Sequence, residues 1–114
     1  MENQYIEDIP PDVRRELENA LDSHESINWL ALIRLMPQNS YQRNQIEGFR
    51  METLHPNGSP TRALLNDLSV RRVTLQQLIC RLQQLASSGP CPGLQSVLMK
   101  LQGNNRKLNY FKNL

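Results

Sequence analysis

Gly58-Ser59-Pro60-Thr61-Arg62-Ala63-Leu64-Leu65, answered downstream by Val73-Thr74-Leu75-Gln76-Gln77-Leu78, reads as two helix starts joined by a short polar connection. A Ser side chain accepts a hydrogen bond from an orphan N–H of the first turn, so Ser59 suits the cap position. Pro60 suits the first helical position, where a missing N–H costs nothing. Thr74 and Gln77 have the spacing of a capping box, in which each side chain satisfies a backbone donor at the other residue. Two helices so clearly bounded in a chain of 114 residues point to an all-α domain with a single core.

Working outward, the helix after Ser59 presents Ala63, Leu64, Leu65 and Leu68, and Ser69 to Val73 is a link that holds Arg71-Arg72. The helix after Thr74 carries Leu75, Leu78, Ile79, Leu82 and Leu85 as a core stripe, with Gln76, Gln77, Arg81, Gln83 and Gln84 opposite. Ser87-Ser88-Gly89-Pro90 stops it. A last helix from about Pro92 places Leu94, Val97, Leu98 and Leu101 at i, i+3, i+4 and i+7, with Gly103 as its expected end. Upstream, Pro10-Pro11 opens a first helix with Val13, Leu17, Ala20 and Leu21 on one side. Ile27 to Met36, capped by Ser26 and ended by Pro37, is apolar nearly all round and should be central. Asn39-Ser40 should cap a short third helix bearing Tyr41, Gln45, Ile46 and Phe49, followed by turn chemistry at Thr53 to Gly58. The expected layout is a loosely ordered lead-in at 1–9, a helical domain at 10–102 and a tail or linker start at 103–114, including Tyr110 and Phe111.

Aromatic residues make up only 5% of the chain, so aliphatic side chains must fill the core. No apolar run reaches the ~20 residues needed to cross a bilayer, and Met1 to Pro11 is too acidic for a secretory signal. Two cysteines, Cys80 and Cys91, are too few for a disulfide framework, which fits a reduced cytoplasmic setting. Cys80 is expected to pack inside and Cys91, between two prolines, to be exposed.

The formal charge of +2 conceals an asymmetry. Residues 1–30 carry eight acids against Arg14 and Arg15, whereas residues 31–114 carry three acids against eleven bases. A domain acidic at one end and basic elsewhere can attract copies of itself head to tail, although each exposed charge alone is worth little.

Six short amphipathic helices with a Trp on the second resemble the death domain. The resemblance sharpens at Gly58-Ser59-Pro60-Thr61-x-x-Leu64-Leu65-x-Asp67-Leu68 and Val73-Thr74-x-x-x-Leu78. These are similar to the fourth and fifth helices of the interleukin-1-receptor-associated kinase and Pelle family, and paracaspase death domains share a Gly-Ser-Pro start. Trp29-Leu30-Ala31 is similar to the second-helix Trp region. Leu68 departs from the pattern, since those kinases carry Trp there. The resemblance implies a six-helix antiparallel bundle over roughly residues 9–101. It implies no catalysis, no cofactor and no metal. It also implies homotypic assembly of oligomeric adaptor complexes with other death-domain proteins, in innate immune or cytokine receptor signalling. Opening at Met1 and closing on a linker-like run, the chain is expected to be the N-terminal piece of a longer kinase or protease. Arg71 and Arg72 are the expected basic contact, with Arg50 and Arg62 contributing. The acidic counterpart is expected from Asp12, Glu16 and Glu18, or from Asp22 and Glu25.

Other chemistries fit less well. His24 and His55 share no ligand spacing with either cysteine, and no Ser–His–acid grouping or phosphate-cradling loop is present. The alternative class is a helical nucleic-acid-binding domain that uses the basic C-terminal two thirds. Against it, the exposed face of the fifth helix offers Arg81 as its one cation, and the acidic first helix would repel phosphate. Nucleic acid, membrane insertion and metal are therefore not expected among its partners.

Overall fold

Proline and capping side chains punctuate an all-helical chain, seen in a computed structural model that describes residues 4–37 and 40–112, with side chains as far as Gly103. Six α-helices follow in order: α1 (Pro11–Ser23), α2 (Trp29–Leu35), α3 (Arg43–Arg50), α4 (Pro60–Val70), α5 (Leu75–Ala86) and α6 (Pro92–Lys112). Single turns of 3-10 helix lie at Ile6–Asp8 and Met51–Leu54. No helix among the described residues is long and apolar enough to cross a membrane.

The opening motif does what its residues dictate. The Ser59 hydroxyl accepts from the Arg62 amide at 3.0 Å, and Pro60 begins α4. Gly58 is required by space. A Cβ there would lie 1.8 Å from the carbonyl oxygen of Glu52, inside any permissible contact. Thr74 accepts from the Gln77 amide at 3.1 Å, and the Gln77 side chain accepts from the Thr74 amide at 2.9 Å, which completes the capping box.

Between these starts, α4 ends in a Schellman turn. The Val73 amide reaches back to the Leu68 carbonyl and the Arg72 amide to that of Ser69, each at 3.0 Å. This turn needs a left-handed residue at its tip, usually Gly. Here Arg72 occupies it, with φ of 61°.

The core forms where the apolar stripes meet. Val13, Leu17 and Leu21 of α1, Leu64, Leu65 and Leu68 of α4, the five-residue stripe of α5, and Leu94, Val97, Leu98 and Leu101 of α6 are all buried. Trp29 opens α2 and is buried with Leu32 and Ile33. Helix α1 lies along α6, and Ala20 leaves only about the space of a methyl beside Gly93.

Five expectations need correction. Residues 4–9 are not a loose lead-in: Ile6 and Ile9 are buried in the core, and Tyr5 makes an antiparallel bridge to Thr74. Burying an Ile is worth roughly 1.5–3 kcal/mol, enough to hold a short segment that lacks helical periodicity. Helix α6 continues through Gly103 to Lys112, because one Gly costs only about 1 kcal/mol in a helix interior. The side chains of Tyr110 and Phe111 lie outside the described residues. The cysteines are exchanged relative to expectation, with Cys80 exposed on α5 and Cys91 buried at the start of α6. Cys80 falls beside the core stripe, whereas the turn after α5 folds Cys91 inward. Helix α2 is capped by Asn28, not Ser26: its Oδ1 accepts from the Ala31 amide at 3.0 Å, and His24 Nδ1 accepts from the amides of Ser26 and Ile27. Helix α3 starts after Gln42, whose amide donates to Gln45 Oε1 at 2.8 Å. Asn39 lies outside the described residues.

Candidate interaction surface

Helices α1 and α4 pack antiparallel, and this decides which charges face outward. Arg14, in the first turns of α1, donates to Asn66 in the C-terminal half of α4 at 2.5 Å. Asp22, near the end of α1, meets the start of α4. The acidic helix thus runs beside basic residues of the same chain, and part of the asymmetry read from the sequence is satisfied internally, through the pairs Glu7–Arg72, Glu16–Lys100 and Glu18–Arg62.

Asp22 is a structural anchor. Its carboxylate accepts from the Ser59 hydroxyl, from the Thr61 amide at 3.0 Å and from the Thr61 hydroxyl at 2.6 Å. Ser59 and Thr61 are buried, so these bonds replace water that the two hydroxyls cannot reach. Glu18 is only 7% exposed. It accepts from Arg62 through Nε and Nη2, both at 3.1 Å, with Arg14 at 3.6 Å. Arg62 also donates to the Asn57 carbonyl, which ties it across the loop before α4. Glu16 pairs with Lys100 of α6 at 2.6 Å. Arg50 pairs with Glu47 at 3.4 Å and lies 5.8 Å from the centre of the Trp29 ring. Of the residues expected at an interface, Glu18 is buried, whereas Asp22 and Arg62 are bonded within the fold and stay exposed. Glu16 and Arg50 are engaged within the chain but remain partly exposed. Asp12 and Glu25 are exposed and, among the described residues, carry no side-chain ion pair.

The corner between α4 and α5 is built differently. Arg71 donates to Asp67 at 2.7 Å and to the Ser40 carbonyl at 2.8 Å, and its guanidinium lies 4.3 Å over the Tyr41 ring. Tyr41 packs edge-on against Phe49 with ring centres 5.6 Å apart. Its hydroxyl is buried without a well-formed hydrogen bond, and burial, then the adjacent Asp67 carboxylate, push that phenol well above its ordinary range. Arg72 stacks 4.0 Å over the Tyr5 ring and donates to Glu7 at 3.1 Å. The second oxygen of Glu7 accepts from the Ser69 hydroxyl at 2.5 Å. That hydroxyl first, and the Arg72 charge with it, hold the Glu7 carboxyl below its ordinary value.

Arg71 and Arg72 stand out in the sequence as an exposed basic pair, but the residues that position them do not. Asp67 was legible, since it stands four residues before Arg71 on one helix. Tyr5, Glu7, Ser40 and Tyr41 were not, because only the tertiary fold brings them there. Arg15, Arg34 and Arg43 are exposed cations without side-chain partners among the described residues, and nothing in their spacing distinguished them. No family model, no curated protein and no solved structure matches the chain.

Proposed function

We propose that the chain is a non-catalytic homotypic interaction module of the death-domain kind, which assembles oligomeric adaptor complexes in cytoplasmic receptor signalling. The observation that carries this is the placement of charge at opposite ends of the α1–α4 pair. Glu25 follows the end of α1 that meets the start of α4, while Arg71 and Arg72 sit beyond the end of α4. Eleven helical residues, roughly 16 Å, separate the two ends. Complementary patches at opposite ends of one molecule make a heterologous contact, which propagates instead of closing. Support also comes from the six-helix order and from the Gly58–Leu65 and Val73–Leu78 segments, in which the motif residues are architectural.

The test is a concentration series by light scattering at low and high salt, with wild type and Arg72→Glu. Wild-type chain should self-associate, more strongly at low salt. Arg72→Glu should lose that association while retaining helicity. A wild-type chain that stays monomeric at every concentration and salt, alone and with other death domains, would refute homotypic docking. Tight, salt-dependent binding to a DNA duplex in its place would establish the nucleic-acid alternative.

A further inference from the structure

We propose that the α4–α5 corner is a carboxylate-docking site occupied in the resting chain by its own Glu7, and that Glu25 of a second copy displaces Glu7 when copies assemble. The assignment rests on homotypic docking and adds to it the site, the ligand chemistry and an internal competitor.

The corner has the parts of a carboxylate receptor. The Arg72 guanidinium donates to one oxygen of Glu7 and the Ser69 hydroxyl to the other, at 3.1 and 2.5 Å. The Tyr5 ring forms a shelf 4.0 Å beneath the guanidinium and fixes its plane. That shelf is itself pinned. The Leu75 amide donates to the Gln4 carbonyl at 2.8 Å, and Ile6 is wholly buried beside it. The backbone beneath the receptor is thus tied to the fold, whereas the Glu7 side chain is held only by surface bonds. The Glu7 side chain is half exposed and that of Arg72 is 60% exposed, so a carboxylate can approach from solvent and replace Glu7 without unfolding the segment.

Backbone cost points the same way. Arg72 holds a left-handed φ that a non-glycine residue adopts only at a penalty. Glycine there would close the turn without strain but would leave no guanidinium on the Tyr5 shelf. The arriving group is chosen by chemistry and place. Glu25 is exposed and, among the described residues, lacks a side-chain partner, and it lies at the end of the molecule opposite the corner. Glu7 cannot be lost from the corner by simple diffusion, so displacement is graded by local concentration. Clustered copies supply a high effective concentration of Glu25, whereas dilute copies do not.

The decisive experiment uses the 114-residue chain, hexaglutamate peptide as the probe at low salt, and sedimentation for self-association. Glu7→Gln should bind hexaglutamate about 2–5-fold more tightly than wild type, the scale of one exposed ion pair. It should also self-associate at correspondingly lower concentration. Adding Arg72→Gln to Glu7→Gln should remove both gains, and Glu25→Gln should weaken self-association without affecting peptide binding. Equal peptide binding by wild type and Glu7→Gln, at matched helicity, overturns the competitor role of Glu7. A peptide gain without self-association in any variant keeps the carboxylate site and removes homotypic docking. Self-association unaffected by Glu25→Gln removes Glu25 as the displacing group.

Discussion

The two ends of α4 are both polar, and the molecule uses them in opposite ways. At its start, Ser59 and Thr61 are buried and bonded to Asp22, so the polar groups belong to the interior. At its end, Arg71 and Arg72 keep exposed side chains over aromatic shelves. The first end joins two helices. The second presents charge to solvent with its geometry already fixed. A polar side chain whose partners are buried is tied to stability, and one held by exchangeable surface partners is free for recognition.

The apolar middle of α4 gives the scale. Leu64 is fully buried, and Leu64→Ala should lower unfolding free energy by about 2–5 kcal/mol in urea denaturation. Asp22→Ala comes next. It leaves two buried hydroxyls and the Thr61 amide without their acceptor, for an expected loss of about 1–3 kcal/mol. A loss near zero would mean that water replaces the carboxylate freely, and the contrast between the two ends would collapse.

How far this contrast was legible follows from the range of each interaction. Ser59, Pro60, Thr74 and Gln77 act over three or four residues, so their roles stood in the sequence and the structure repeats them. Leu68 fills its expected core position. The bonds of Asp22 and the burial of Glu18 were not legible because their partners lie 37 to 44 residues away. Ile6 and Ile9 were passed over because a single 3-10 turn has no amphipathic period to detect. The Cys80 and Cys91 exchange shows the same limit, since one step on a helix or one turn reverses inside and outside.

Arg72 sharpens the contrast at the exposed end. Arg72→Ala keeps the left-handed strain and loses the Tyr5 and Glu7 contacts. Arg72→Gly loses the same contacts and relieves the strain. The glycine variant should therefore be more stable than the alanine variant by about 1 kcal/mol in paired denaturation curves. Both should lose salt-sensitive association equally. Equal stability would mean that residue 72 does not hold the left-handed turn.

The smallest effect is the acid dependence of the Glu7 contact. In the folded chain its carboxyl is held below its ordinary value, by the Ser69 hydroxyl foremost and by Arg72 as well. The folded state therefore binds this proton less readily than the unfolded state does. The contact's stabilisation is complete above the ordinary carboxylate range and is lost as pH falls through the lowered folded value. Wild type and Glu7→Gln, melted in parallel from neutral to strongly acid pH, should differ by a constant small margin until the carboxylate range and then converge. The carboxylate site should empty over the same acid window, because protonated Glu7 no longer pairs with Arg72. Melting curves that keep their separation at the acid end would show that Glu7 acts through packing alone, and its place as an exchangeable anion at the corner would fall.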